Sequence, residues 1–222
     1  MPVYENGKDT YQRIIDAAKK LYYLNGPSRV TNAQIADEAC IQLSSLAYYF
    51  RNKRSILHAI SVETCSKWLG ISKQLCEHRE DLTTIVYYLL QYKIIAADNR
   101  LFRLFNEYMY RYDLINDISN QDFYSLHIIS LQTISGETET FADIPLGIEN
   151  MRAICVNASR IMLQSIHSGE RDIDYRFIAR WNVDFILWTL GIENRDAVDK
   201  AFNEAVELFE HSELSRYDLS FV

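Results

Sequence analysis

The chain has 222 residues, of which 48% are hydrophobic, with only 7 Gly and 3 Pro. This composition is typical of one or two domains with a substantial core and argues against a disordered protein. No run of about 18 apolar residues is present, so we expect no membrane-spanning helix, and the N-terminal segment lacks the pattern of a secretory signal. Four scattered cysteines without a CxxC pair indicate reduced thiols. We therefore expect a cytoplasmic protein that does not contact a membrane.

The net charge of −7 is distributed unevenly along the chain. Residues 1–58 carry eight Lys and Arg against five Asp and Glu, a net charge of +3, and residues 59–222 carry −10. A basic segment followed by an acidic one is expected when one domain contacts phosphate groups. A small basic excess is also common on an ordinary solvated surface, so charge alone leaves both interpretations open.

Apolar residues recur at helical spacing across residues 10–25 and predict a first helix that ends at Gly26-Pro27. Thr31 and Gln34 then match a Thr-x-x-Gln capping box, which predicts a short helix over about residues 32–39.

A turn through Cys40, Ile41 and Gln42 leads to a second short helix over about residues 43–50. Asn52 is a good cap for a longer helix over about residues 53–78.

The rest of the chain also shows helical periodicity, with one polar loop at residues 135–140. The further predicted helices cover residues 82–98, 100–112, 121–134, 145–168, 173–191 and 195–211. The sequence therefore predicts an all-α protein of about nine or ten helices. A three-helix unit at the N-terminus would be followed by a larger helical body.

Two short helices joined by a tight turn, after a supporting helix, predict a helix-turn-helix that binds double-stranded DNA. Thr31 and Asn32 begin a helix, where phosphate is bound by side-chain and backbone donors, and Tyr48 faces outward from the second short helix. The serines are explained equally well as helix-start residues. The alternative for the tyrosines is that they are packing aromatics, but two adjacent helix positions do not both face the core, so we favour DNA contact for them. The candidate DNA-binding residues are Thr31, Asn32, Leu43, Ser44, Ser45, Tyr48, Tyr49 and Lys53.

The segment from Ser45 to Leu57 resembles the recognition helix and connecting helix of the tetracycline-repressor (TetR) family of bacterial regulators. Its small residue, leucine, aromatic cluster ending in Phe50, and Lys53 followed by aliphatic residues carry the resemblance. The resemblance implies a DNA-binding domain at residues 1–52 and a ligand-binding and dimerisation domain at 53–222. It also implies a homodimeric, ligand-responsive regulator, most simply a repressor, on a near-palindromic operator.

Three residues depart from that family's pattern. Cys40 stands where the family usually has glycine, so it must tolerate or avoid a positive φ. Gln42 replaces the usual Ser or Thr cap, and Ala47 replaces an aromatic that often contacts phosphate. These departures keep a rival function open, namely a helical protein-interaction module with a degenerate helix-turn-helix.

The helical body is rich in aromatic side chains, which are candidates for the lining of a pocket for an apolar or aromatic small molecule. For any one of them, an ordinary core position is the simpler interpretation, and only as a group do they suggest a pocket. Arg103 and Glu107, four residues apart, either orient a polar ligand or form an exposed ion pair. The candidate ligand-binding residues are Trp68, Tyr88, Tyr92, Phe105, Tyr108, Tyr124, His127 and Met162.

The last two predicted helices carry large apolar stripes, which predict a four-helix interface between two copies of the chain. Burial inside one chain would give the same periodicity. The candidate interface residues are Trp181, Phe185, Trp188, Phe202, Val206 and Phe209.

The sequence shows none of the common catalytic or metal-binding motifs. The five histidines have no HxxxH or HExxH spacing, and GxSxG and phosphate-binding glycine-rich loops are not found. We therefore expect no metal, no cofactor and no enzymatic activity, which leaves an all-α enzyme as the weakest rival.

Overall fold

The computed structural model describes residues 3–111, 121–136 and 147–222, and within them it leaves undescribed the side chains of residues 3–6, 108–111, 121–127, 147–149 and 152. The described residues are helical, as predicted, and contain no strand. The helices are α1 (Val3–Asn25), α2 (Asn32–Glu38), α3 (Leu43–Tyr49), α4 (Lys53–Leu75), α5 (Thr83–Ala97), α6 (Asn99–Arg111), α7 (Gln121–Ser135), α8 (Gly147–Ser168), α9 (Tyr175–Thr189) and α10 (Arg195–Glu210).

The predicted helices are present, and their ends differ for local reasons. Helix α1 begins at Val3, well before the predicted residue 10, because the polar residues ahead of its apolar stripe also join the helix. Helix α4 ends at Leu75, before the predicted residue 78, because Cys76 O accepts a hydrogen bond from Arg79 N (2.7 Å) in a turn. Most of the predicted 135–140 loop lies outside the described residues.

The chain forms two compact units. Unit 1 contains Met1–Cys65, Arg100–Ile118 and Ser220–Val222, and unit 2 contains Ser66–Asn99 and Ser119–Leu219. Unit 1 therefore includes α1 to α3, the first part of α4 and α6. The predicted functional boundary between residues 52 and 53 remains a prediction, because compactness does not say which residues contact DNA.

Helix α5 is the centre of unit 2. Its side chains are buried at every position from Thr83 to Leu90, and Tyr92 and Ile95 continue the buried set. A helix that is apolar all round must be covered on all sides. Helices α7, α8, α9 and α10 pack against α5 and provide that cover. In the described residues, no helix is long and apolar enough to cross a membrane.

A hydrogen-bonded polar cluster joins three helices inside unit 2. Tyr92 Oη and Ser159 Oγ lie 2.9 Å apart, and Asn182 Nδ2 donates to Ser159 Oγ (2.9 Å) and to Ile178 O (2.8 Å). All three side chains are buried, and burial raises the pKa of Tyr92, so its phenol stays protonated. Buried polar groups that satisfy one another specify how α5, α8 and α9 pack.

We expect Asn182→Leu to lower the free energy of unfolding of unit 2 by about 1–3 kcal/mol, because it removes the donor that links Ser159 to α9. All three tryptophans, Trp68, Trp181 and Trp188, belong to unit 2, so urea unfolding followed by tryptophan fluorescence reports on this unit. Thr189→Val is the matched control, since the Thr189 hydroxyl donates only within α9, to Phe185 O. Equal losses for both variants would contradict a role for the cluster between helices.

Candidate DNA-binding site

Helix α2 begins with the predicted capping box. Thr31 Oγ1 accepts a hydrogen bond from Gln34 N (3.2 Å), and Gln34 Oε1 accepts one from Thr31 N (2.8 Å). These two bonds satisfy backbone donors that a helix otherwise leaves open at its N-terminus. The side chain of Thr31 is exposed and that of Asn32 is half-buried, so both lie at the surface of the helix start.

The turn between α2 and α3 is centred on Cys40, which has a φ of 52°. Cys40 N donates to Asp37 O (3.0 Å) and Ile41 N donates to Ala36 O (2.9 Å), the two bonds of a Schellman motif. Cysteine therefore occupies the left-handed conformation that favours glycine, at a cost of about 1–2 kcal/mol. The sequence left open whether Cys40 tolerates or avoids a positive φ, and the structure shows that it tolerates one.

Arg13 on α1 stabilises the same turn. One of its guanidinium nitrogens donates to Ala39 O (2.5 Å) and Cys40 O (3.0 Å). A cation at the C-terminal end of a helix binds carbonyl groups that have no partner within the helix. This contact was not predicted, because periodicity within α1 does not reveal which neighbouring carbonyls it reaches.

Helix α3 separates a buried face from an exposed one. Leu46 and Phe50 lie in the core, whereas Tyr48 is 84% exposed and Leu43 51% exposed. Ser44 is also exposed and Ser45 is half-buried. No side chain caps this helix, because Gln42, at the N-cap position, makes no such hydrogen bond. This agrees with the expectation that Gln42 is a weaker cap than Ser or Thr.

Tyr48 and Tyr49 differ in their surroundings although they are adjacent. Tyr49 is half-buried, and its ring meets that of Tyr11 on α1 edge-on at a centroid distance of 6.4 Å. The ring of Tyr48 meets that of Tyr49 edge-on at 5.3 Å and otherwise faces solvent. Tyr49 therefore packs on α1, and Tyr48 is the aromatic side chain that α3 presents to solvent.

Lys53 begins α4 and has a partner that the sequence did not suggest. Its Nζ donates to Pro27 O (2.9 Å), in the short 3-10 turn Pro27–Arg29 that connects α1 to α2. The adjacent Asn52 caps α4 as predicted, since Asn52 Oδ1 accepts from Ser55 N (2.9 Å). The phosphate contact expected of Lys53 stays a prediction.

Residues 14–60 match the family model described as "Bacterial regulatory proteins, tetR family". This match spans the capping box, the Cys40 turn and the exposed face of α3. The matched segment, the headpiece, makes up 47 of the 222 residues, and it is similar to the corresponding segment of tetR-family proteins. No curated protein sequence matches the chain.

The chain is also similar to solved structures. RolR in complex with resorcinol is similar to the chain with a TM-score of 0.58 at 15% identity, covering 89% of this chain and 95% of RolR. A gamma-butyrolactone receptor (ArpA-like protein) has a TM-score of 0.49 at 13% identity, covering 93% and 100% of the two chains. A TetR-family transcriptional regulator from Mesorhizobium loti has a TM-score of 0.47 at 13% identity, covering 84% and 97%. At these identities the likeness to RolR shows a shared fold.

The candidate ligand-binding residues that the structure describes are mostly interior side chains. Trp68, Tyr88 and Tyr92 are buried in unit 2, and the rings of the two tyrosines stack at 6.1 Å. Met162 is half-buried in unit 2, whereas the half-buried Phe105 belongs to unit 1. The side chains of Tyr108, Tyr124 and His127 lie outside the described residues. Across the described ranges, no group of three or more His, Cys, Asp or Glu side chains is placed to hold a metal ion.

The candidate interface residues fall into two groups. On α9, Trp188 is 65% exposed, and the half-buried rings of Trp181 and Phe185 stack at 5.2 Å. On α10, Phe202 and Phe209 are buried inside the chain because α10 packs against α5 and α7. The placement of these two phenylalanines at an interface is therefore corrected, and α10 is a core helix. Val206 is half-buried.

We expect Cys40→Gly to stabilise the headpiece by about 0.5–1 kcal/mol, because relief of the left-handed strain exceeds the entropic cost of glycine. Cys40→Ala keeps the strain and is the matched control, with an expected change within about 0.5 kcal/mol. Amide hydrogen exchange of Leu46 and Phe50 in α3 measures the difference. A Cys40→Gly variant no more protected than Cys40→Ala would show that the turn is not strained.

Proposed function

We propose that the chain is a cytoplasmic, homodimeric transcription regulator, most simply a repressor, which binds a near-palindromic operator and is released by a small-molecule effector. The observation that carries the proposal is the exposed face of α3, with Tyr48 84% exposed, on a helix-turn-helix that matches the tetR family. A helix inserted into the major groove needs an exposed face of this kind, held by a buried one.

Each candidate DNA-binding residue is assigned a role by its position. Tyr48, Leu43 and Ser44 face solvent on α3 and are proposed to contact base edges, with Leu43 suited to a thymine methyl group. Thr31 and Asn32, at the start of α2, are proposed to contact phosphate. The same role is proposed for Ser45 and Tyr49 on α3 and for Lys53 at the start of α4.

The proposed dimer interface lies on α8 and α9. Ile154 and Ile161 on α8 are 41% and 56% exposed, and Phe177 and Trp188 on α9 are 51% and 65% exposed. Helices α8 and α9 pack against each other, so these side chains belong to neighbouring helices. Large apolar side chains clustered at a surface are typical of protein interfaces, and two such helix pairs related by a twofold axis form a four-helix contact. The two headpieces would then meet half-sites about 34–36 Å apart.

The proposed effector is an uncharged apolar or aromatic molecule bound by the body, residues 53–222. Among the described residues, the buried polar side chains are Ser, Thr and Asn, with no buried Lys, Arg, Asp or Glu. An interior without charge disfavours a charged ligand, because a buried ion without a partner is costly. RolR, whose fold is similar, was solved in complex with resorcinol, an uncharged aromatic molecule.

The deciding experiment is to incubate the purified protein with sheared genomic DNA of its source organism at two salt concentrations and to sequence the retained fragments. Enrichment of an inverted repeat with half-sites about one helical turn apart supports the proposal and identifies the target genes. Failure to enrich DNA, with and without cell extract as a source of a co-repressor, contradicts it.

The rival function, a protein-interaction module with a degenerate helix-turn-helix, is favoured by the missing cap at Gln42. The two functions differ in the dependence of DNA binding on salt. Even a few phosphate contacts make DNA affinity fall steeply with salt concentration. A chain that binds no DNA at low salt, yet retains the fold of its headpiece, would support the interaction module.

We expect Tyr48→Ala to weaken binding to the selected operator by about 1–3 kcal/mol and to relax sequence preference, because Tyr48 is proposed to contact a base. Lys53→Ala is expected to weaken binding to random DNA as well as to the operator, because Lys53 is proposed to contact phosphate. Titrations on both DNAs measure the difference, and thermal unfolding corrects for loss of the contact between Lys53 and Pro27. Equal effects of Tyr48→Ala on the two DNAs would remove the base-reading role.

We expect Trp188→Glu to convert the dimer to a monomer, because it places a charge within the proposed apolar interface. Ile129→Glu is the matched control, since Ile129 is 51% exposed on α7, outside the α8–α9 surface. Sedimentation velocity at micromolar concentration measures the oligomeric state. A dimeric Trp188→Glu variant would place the interface elsewhere.

A further inference from the structure

The C-terminal end of α1 is bound by an arginine on α6, within unit 1. Arg103 Nη2 donates to Tyr23 O (3.0 Å) and to Leu24 O (2.9 Å). The guanidinium of Arg100, one turn earlier on α6, lies 5.6 Å from the centre of the Tyr23 ring. The last carbonyl groups of a helix have no partner within it and carry partial negative charge, so a cation is favourable there.

One helical turn after Arg103, the negatively charged Glu107 binds the residues that follow α1. Glu107 Oε2 accepts a hydrogen bond from Ser28 N (3.0 Å). Gly26 has a φ of 82°, and a Cβ added there would lie 2.7 Å from Glu107 Oε1. The carboxylate therefore occupies space that any larger residue at this position would take. In the corner between α1 and α2, the positive Arg103 binds carbonyl groups and the negative Glu107 binds an amide group. The two side chains follow each other along α6 in the same order as their partners along the chain.

This corner, residues 23–28, leads directly into the DNA-binding elements. Lys53 Nζ on α4 binds Pro27 O (2.9 Å), so the corner is held by side chains of α4 as well as α6. Thr31, whose capping box begins α2, follows Ser28 by three residues. A displacement of the corner therefore moves the start of α2, and with it the turn that orients α3.

We propose that Arg103 and Glu107 are positioning residues for DNA recognition, which fix the α1–α2 corner through α6 without contacting DNA. This inference rests on the proposed function. Specific binding requires α3 in one orientation, whereas non-specific binding tolerates many, so loss of the corner contacts lowers the specific affinity selectively. The ion pair or ligand contact suggested by the spacing of these residues is replaced by two separate contacts with the backbone of the corner.

The test compares variants that each remove one charge. Glu107→Ala removes the acceptor for Ser28 N, whereas Glu107→Gln removes the same charge and keeps an oxygen that accepts this hydrogen bond. Arg103→Gln removes the cation that binds Tyr23 O and Leu24 O. The charge-matched controls are Glu170→Gln and Arg171→Gln, which alter exposed residues between α8 and α9. Each variant is titrated on the selected operator and on random DNA over a range of salt concentrations.

Glu107→Ala and Arg103→Gln are expected to weaken operator binding about tenfold, the equivalent of one lost charge-assisted hydrogen bond, with random-DNA affinity and the salt slope unchanged. Glu107→Gln is expected to restore most of the affinity. By charge alone, loss of a carboxylate would strengthen binding to DNA, so the expected change has the opposite sign. Tryptophan fluorescence is expected to show normal unfolding of unit 2.

Two results would overturn the inference. One is equal operator affinity for Glu107→Ala and Glu107→Gln. The other is a salt slope lowered by about one in Arg103→Gln, which would make Arg103 a phosphate contact. If the wild-type chain selects no DNA, the proposed function fails, and hydrogen exchange of the Ser28 amide tests the corner by itself. Protection lost in Glu107→Ala and regained in Glu107→Gln supports it, and unchanged protection refutes it.

Discussion

The orientation of α3 depends on a single left-handed residue. Cys40 reverses the chain at a φ of 52°, and the two Schellman hydrogen bonds and Arg13 hold it there. A cysteine in this conformation is strained, and strain persists only where the surrounding contacts determine the backbone. The buried residues on both sides of the turn, Ile35 and Leu46, are fully covered and provide that constraint. The exposed face of α3, and the contact with DNA proposed for it, follow from this turn.

Side chains bind the ends of the helices of unit 1. Arg13 binds the end of α2, Arg103 binds the end of α1, and Lys53 and Glu107 bind the segment between them. A small unit buries a smaller fraction of its surface than a large one, so contacts that satisfy backbone groups at helix ends contribute a larger share of its stability. Unit 2 differs, because α5 is surrounded by other helices and its interior is mostly apolar. Its polar cluster at Tyr92, Ser159 and Asn182 directs how these helices pack.

How well the sequence predicts a feature depends on the distance along the chain between the residues that form it. The capping box of Thr31 and Gln34, the Asn52 cap and the positions of the helices were predictable, because their signals lie within a few residues. The partners of Arg13, Lys53 and Arg103 were not, because each lies on a different element more than 20 residues away in the chain. Helix α10 shows the same limit, since an apolar stripe is identical whether it faces the core or a second chain. Only the packing of Phe202 and Phe209 against unit 2 decided between these possibilities.

Several basic residues of the N-terminal segment, residues 1–58, already bind other groups of unit 1, which affects how strongly the segment attracts phosphate. Lys19 pairs with Glu63, an acidic residue outside residues 1–58, whereas Lys20 pairs with Glu38 (2.6 Å), which the net charge of +3 already counts. Arg13 keeps its charge but is turned towards the carbonyl groups of the Cys40 turn. The positive field that this segment offers to phosphate is therefore small. Non-specific affinity for DNA depends on such a field, whereas specific affinity depends on the fit of side chains to base edges. The orientation of α3 and the exposed ring of Tyr48 consequently carry a larger share of the proposed recognition than the charge of the headpiece.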